Sequence, residues 1–207
     1  MPNSSGATRY VAVLVRDRPA PAPPGVDAEE FRLAVIEDTY EVAAGLDLVT
    51  AAVVLSPPGQ PGVAELTWPG TPVIGVGADP TPAAAAFAAL AERGADQAAL
   101  IAADAPDLPP LLIGKLFRPL GHADIAVCPA EDGGLVAVAA HLPLADWITG
   151  LDLDAPDAYE KLHAAAPARR SVATGPGWHR LRTLADIARL DPGLEGWPST
   201  RALLSAG

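Results

Sequence analysis

The chain has 207 residues, half of them apolar and 19% charged, a composition that excludes a disordered chain. A protein of this size buries roughly 70% of its unfolded surface, which excludes a mini-fold dependent on disulfides or a structural metal, and the length points to one domain spanning residues 1–207. Acidic residues number 25 against 14 basic ones, a net charge of −11, and the only lysines are Lys115 and Lys161, so nucleic acid is excluded as a partner for want of clustered cations.

Period and punctuation give alternating strands and helices. Tyr10 to Val15 is a short β-branched run and reads as a buried strand. The next segment, with Pro19, Pro21, Pro23 and Pro24, can only be a loop. Asp27 is placed to cap a helix over Ala28 to Ala44, stopped by Gly45. Val49 to Leu55 is the second strand, followed by a Pro/Gly loop with an extended piece near Trp68 and a third strand over Val73 to Val76. Asp79 or Thr81 caps a helix from Pro82 to Arg93, and Ala98 to Ala102 is the fourth strand. A helix opens at Pro109 or Pro110 and runs to Leu120, before a fifth strand over Asp124 to Cys128 and a further strand, antiparallel or parallel, over Leu135 to Ala140. Beyond it the pattern predicts a short helix near Pro143 to Thr149, a helix over Pro156 to Ala166, a strand over Arg170 to Ala173, and helices over Thr183 to Leu190 and Ser199 to Leu204. This order argues a mainly parallel sheet covered by helices on both faces, a three-layer α/β/α fold.

The one cysteine, Cys128, has no companions for a disulfide or a metal cluster. The N-terminal segment MPNSSGATRY lacks a basic stretch followed by an apolar run, and the longest apolar stretch, Ala83 to Ala91, falls far short of the roughly 20 residues that a bilayer span needs. The expected location is therefore the cytoplasm, with no membrane partner. His122, His141, His163 and His179 share no ligand spacing. Gly75-x-Gly77-x-x-Pro80 breaks the dinucleotide fingerprint at its third glycine, and the chain lacks the lysine-containing phosphate loop, HExxH and GxSxG.

Carboxylates do fall in a pattern. Asp17 follows the first predicted strand, Asp79 the third, Asp104 and Asp107 the fourth, and Glu131 and Asp132 the fifth. In an open parallel sheet the ligand crevice lies beyond the carboxyl ends of the strands, so these side chains would converge on one edge. A cluster of hard oxygens suits Mg²⁺ or Mn²⁺ carrying a diphosphate; equally, acidic loops and helix caps are ordinary in so acidic a chain. Asp104 leaves its strand on a loop stiffened by Pro106, and only one of Asp104 and Asp107 is needed to cap the helix that follows.

The stretch Leu100 to Pro143, LIAADAPDLPPLLIGKLFRPLGHADIAVCPAEDGGLVAVAAHLP, resembles the core of a bacterial glycosyltransferase-like family of unknown function, whose members read GTDCPDL and then, after a helix and a strand, DGGYYLIGL. That family is similar in turn to nucleotide-diphospho-sugar transferases of the glycosyltransferase A type and to small nucleotidyltransferases. Weaker likeness extends over EEFRLAVIEDTYEVAAGL, GVGADPTPAAAAF, TLADIARL and the closing GWPSTRALLSAG.

The resemblance implies that Asp104 holds a divalent metal, Mg²⁺ or Mn²⁺, against a nucleotide diphosphate, and that Asp132, Gly133 and Gly134 shape the acceptor side, with Asp132 orienting a hydroxyl or acting as base. The same three residues suit a tight turn between strands. Two departures stand out. The family's basic loop after the first strand is replaced by VRDRPAPAPPGVD, leaving Arg16 and Arg18 to meet phosphates, and Arg182 occupies the place of a second metal-binding aspartate. Arg182, or Arg180, would then pair with a phosphate directly, or with Asp186 or Glu195.

The expected function is nucleotide-dependent glycosyl or nucleotidyl transfer from a nucleotide sugar or nucleoside triphosphate to a small acceptor. Asp104 and Asp132 are the catalytic candidates, and Arg16, Arg18, Asp79, Asp107, Gly133, Gly134 and Arg182 the candidates for binding the nucleotide. The alternative is a binding or regulatory module that keeps the fold without catalysis. Trp68, Trp147, Trp178 and Trp197 are read as core or subunit anchors, and a homodimer is one assembly they would allow.

Overall fold

The computed structural model describes residues 6–206. Residues 1–5, half of the segment read above as free of a secretory leader, lie outside the described residues.

Seven strands form one sheet in the order β3-β2-β1-β4-β6-β5-β7: β1 Arg9–Arg16, β2 Thr50–Ser56, β3 Val73–Gly75, β4 Gln97–Ala102, β5 Ile125–Pro129, β6 Leu135–His141 and β7 Val172–Thr174. Every neighbouring pair is parallel except those of β6, which runs antiparallel to both β4 and β5. Val11 to Val15 and all of β4 are buried on both faces, as near-continuous apolar central strands must be.

Two helical layers cover the sheet. On one face, Ala83, Ala86, Phe87 and Leu90 of α2 (Ala83–Ala91) pack against the even-numbered side chains of β1 and β4, and Ala158 and Leu162 of α4 (Ala158–Ala165) belong to the same apolar cluster. On the other, Ile36 and Tyr40 of α1 (Ala28–Ala44) and Ile113, Leu116 and Phe117 of α3 (Pro110–Phe117) cover the odd-numbered ones. The chain end returns over α1: α5 (Pro198–Ala206) follows Trp197, which packs with Phe31, Val35, Leu181 and Leu190.

Local chemistry accounts for most boundaries. Asp27 accepts hydrogen bonds from the Glu29 and Glu30 amides at 3.0 and 2.9 Å and caps α1 as expected. The helix from Pro110 changes at Arg118 to a 3₁₀ turn, because Pro119 has no amide to continue the α pattern. Thr183 and Asp186 form a reciprocal capping box, yet the residues behind it, Leu184–Arg189, wind as a 3₁₀ helix. Neither Asp79 nor Thr81 caps α2; Asp79 instead accepts from the Thr81 amide and hydroxyl in a local turn. Near Trp68 the expected extended piece is replaced by a 3₁₀ turn over Ala64–Leu66. The helix expected near Pro143 to Thr149 is a string of turns, with the Leu142 amide tied to the Asp96 carbonyl and the Ile148 amide to that of Ala145.

Candidate functional site

The parallel strands β1 and β4 bring Arg16 and the Asp104 loop to the same rim, and the antiparallel strand β6 begins there, so the turn before it joins them. Two further segments close over the rim. Residues 151–156 lie against the turn, with the Leu135 amide bonded to the Leu153 carbonyl at 2.8 Å, and residues 178–182 cross it, with the Leu181 amide bonded to the Asp104 carbonyl at 2.8 Å.

Arg180 stands at the centre of this rim, 6% exposed. Its Nε donates to Asp104 Oδ1 at 2.5 Å and its Nη2 to Asp104 Oδ2 at 2.9 Å and Asp154 Oδ1 at 2.7 Å. Nη1 donates to the Leu135 and Leu153 carbonyls, both at 3.1 Å. All five N–H donors of the guanidinium are thereby used. Burial alone would lower its pKa, and Asp104 and Asp154 override that and raise it. Asp154 is shared with Arg16 at 2.7 Å and Arg18 at 3.0 Å, while Arg16 also meets Asp152 at 3.1 Å. Burial would raise the Asp154 carboxyl; Arg180 overrides it, with Arg18 and Arg16 adding, and holds it below the usual carboxylate range.

Beside this lattice lies a cavity of about 220 Å³. Its apolar lining includes Leu14, Val35, Ile36, Pro19 and Pro21, and its charged lining consists of Arg16, Arg18, Arg32, Arg180 and Arg182 with Asp104 and Asp154. Asp152 pairs with Arg16 and Glu29 with Arg32 from outside the lining, so five arginines face four carboxylates and the surplus is one positive charge in a chain of net charge −11. Arg182 donates its amide to Asp186 Oδ2 at 3.0 Å, but its guanidinium has no carboxylate in hydrogen-bonding or ion-pair contact among the described residues. Its Nη1 donates to the Gly133 carbonyl at 2.8 Å, and its Nη2 is buried without a partner. Burial, and then the neighbouring Arg180, lower its pKa.

The residues singled out in the sequence divide among several places. Asp104, Arg16, Arg18 and Arg182 line the cavity. Asp132 does not; it is 60% exposed and paired, like Glu131, with Arg189, which also lies 3.4 Å from Asp186. Gly133 and Gly134 form the β5–β6 turn, with the Ala130 amide bonded to the Gly134 carbonyl at 3.0 Å. Gly134, at φ +78°, is required there: a Cβ would lie 2.5 Å from the Leu153 carbonyl and 2.9 Å from Arg182 Nη2.

Asp107 is buried and accepts from Trp178 Nε1 at 3.1 Å and the Asp191 amide at 3.3 Å, with His179 stacked beside Trp178. It does not cap α3, whose N-cap is Pro109 without a side-chain bond, and nor does Asp104. Asp79 is exposed on the far side of Arg16, which donates to the Pro80 carbonyl at 3.1 Å. Arg180 is spent on its carboxylates rather than free for a phosphate, and the Arg182 side chain pairs with neither Asp186 nor Glu195. Asp152, Asp154 and Arg32 were missed; the one available signal was the spacing of Asp152 and Asp154, which suits a turn in which the Asp154 amide donates to Asp152 Oδ1, as it does at 3.1 Å.

Residues 81–152 match a family described as "Uncharacterized protein conserved in bacteria (DUF2064)", and the resemblance to a bacterial family of unknown function is thereby confirmed. No curated protein matches the chain. Among solved structures it is similar to a "putative nucleotide-diphospho-sugar transferase" from Desulfovibrio desulfuricans G20, at 21% identity and a TM-score of 0.70 over 97% of this chain and 95% of that one. It is similar also to CMP:2-keto-3-deoxy-manno-octonic acid synthetase, solved with CTP, at 13% identity and a TM-score of 0.61 over 97% and 99% of the two chains. A third is Rv0371C of Mycobacterium tuberculosis H37Rv, solved with manganese, at 21% identity and a TM-score of 0.59 over 89% and 98%. At these identities the likeness is one of fold: a three-layer α/β/α architecture of the nucleotide-diphospho-sugar transferase type.

The fold family implies a divalent cation, and the residues at this rim do not fit one. Both oxygens of Asp104, the implied ligand, are bonded to Arg180. Mg²⁺ or Mn²⁺ needs its oxygens at about 2.1 Å, which would set two positive charges beside a buried guanidinium; at ~4 Å and an effective dielectric of about 20 the repulsion is on the order of 8 kcal/mol. Among the described residues no group of three or more His, Cys, Asp or Glu is placed to hold a metal ion.

Proposed function

We propose that the chain is a nucleotide-dependent transferase that binds the phosphates of a nucleotide sugar or nucleoside triphosphate in the cavity at the carboxyl ends of β1 and β4 and transfers a glycosyl or nucleotidyl group to a small acceptor. The observation that supports this most is the charge of the lining: five guanidiniums are gathered, one of them, Arg182, without a carboxylate on its side chain, where an acidic protein would otherwise repel an anion. Arg182 brings uncommitted donors, Arg18 is 55% exposed at the mouth, and Arg16 is fixed between them and the β1 tip. Guanidiniums held in advance of the reaction stabilise charge as it develops on a leaving diphosphate, the largest contribution to phosphoryl and glycosyl transfer. Leu14, Val35, Ile36, Pro19 and Pro21 give the base or ribose an apolar wall. Asp104 acts in this reading as a positioning residue, through Arg180, and Asp132 stays outside the cavity.

A binding module without turnover is the second reading, favoured by one observation: both carboxylates of the lining are engaged by guanidiniums. Calorimetric titration with UDP, CDP, GDP and ADP tests the first. Binding of at least one is expected, weakened at least tenfold by Arg182→Ala; no binding by any of them would contradict it. Binding with no turnover of any nucleotide sugar or triphosphate would select the second.

A further inference from the structure

We infer that Arg180 is a built-in cation: it occupies the position where a divalent metal would bind, and the cavity takes its anionic ligand without one. Five oxygens from four residues converge on its guanidinium, two from Asp104, one from Asp154, and the carbonyls of Leu135 and Leu153, at 2.5 to 3.1 Å. Carboxylates and peptide carbonyls are the ligands a hard cation takes, so the chain builds an oxygen cage and fills it with its own side chain.

The occupant is permanent. Arg180 is 6% exposed and has every donor satisfied, so extracting it from the cage would break five hydrogen bonds, leave Asp104 without its cation and leave Asp154 only Arg16 and Arg18. A guanidinium also brings a single charge and no exchangeable coordination position, and so it cannot grip a phosphate as a metal does. The ligand contact passes instead to the adjacent guanidinium with uncommitted donors, Arg182, whose Nη2 is buried and unpartnered two residues along the same segment. The last part rests on the nucleotide reading above; the cage and its occupant do not.

Mn²⁺ titration followed by electron paramagnetic resonance of the full chain separates the two. The wild type is expected to leave Mn²⁺ free up to millimolar concentration. Arg180→Ala opens the cage and should bind Mn²⁺ at least tenfold more tightly than the wild type, with a rise in melting temperature on adding Mn²⁺ that Asp104→Asn in the same chain removes. Arg180→Lys, which keeps the charge, should bind no Mn²⁺. Mn²⁺ binding by the wild type that Asp104→Asn abolishes would overturn the inference, as would an Arg180→Ala protein that folds and gains no affinity. Should Arg180→Ala fail to fold even with Mn²⁺, the wild-type and Arg180→Lys titrations still decide. No nucleotide enters these measurements, so failure of nucleotide binding and failure of the cage are distinguishable.

Discussion

Asp154 carries more of the site than any other carboxylate, since Arg16, Arg18 and Arg180 all meet it. Removing one partner of a buried pair costs more than the pair itself contributes, because a desolvated charge is left behind. Asp154→Asn is therefore expected to destabilise the fold by about 3 kcal/mol at neutral pH, measured by denaturant unfolding. Its carboxyl titrates below the usual range in the fold, so its contribution is complete above the unfolded value of about 3.9 and is lost as the pH falls through the lower folded value. The difference between variant and wild type should shrink below about pH 4; a penalty under about 0.5 kcal/mol at pH 7 would place Asp154 with ordinary surface pairs.

At this scale the sequence was partly legible. Asp104 could be found because a strand runs straight into it and Pro106 fixes the loop. Its partner could not, because Arg180 lies 76 residues away and only the antiparallel insertion of β6 and the return of the chain bring the two together.

Among the elements, α5 depends on a cap supplied from another helix. Asp38 of α1, fully buried, accepts from the Ser199 amide at 3.0 Å and the Thr200 amide at 2.7 Å. Asp38→Ala leaves those amides unpaired and should cost about 1–3 kcal/mol, with hydrogen-exchange protection lost first in α5; unchanged protection there would show the cap to be idle. Burial raises the Asp38 carboxyl against these bonds. The pH-dependent part of its contribution is then present below the unfolded carboxylate value and lost as the pH rises through the folded one, the opposite sense to Asp154, while the two amide bonds persist to the ionised carboxylate.

Strands and long helices were legible because periodicity and capping residues are local signals: α1 and its Asp27 cap, and the strands from β1 to β6, lie within a residue or two of expectation. The misses are segments governed by distant partners. The stretch Pro143 to Thr149 has helix-compatible residues but is anchored to the start of β4, and Asp107 has a capping residue's chemistry but is taken by Trp178 and the Asp191 amide.

Over the whole molecule, the contrast of charge matters most. An acidic shell keeps the protein away from polyanions, and no helix of the described residues is long and apolar enough to cross a membrane. Within that shell the arginines sit where the parallel strands end, the position that open α/β sheets reserve for ligands. The architecture was readable from the order of strands and helices; the reversal of charge at the rim was not, because Arg16, Arg18, Arg32, Arg180 and Arg182 are scattered along the chain and only the fold gathers them. A crystal structure of the protein grown with a nucleoside diphosphate and EDTA decides whether that gathering is a phosphate site. The diphosphate should lie within hydrogen-bond distance of Arg182, with Arg180 still on Asp104 and Asp154; a diphosphate bound elsewhere, with the cavity empty, would contradict the reading.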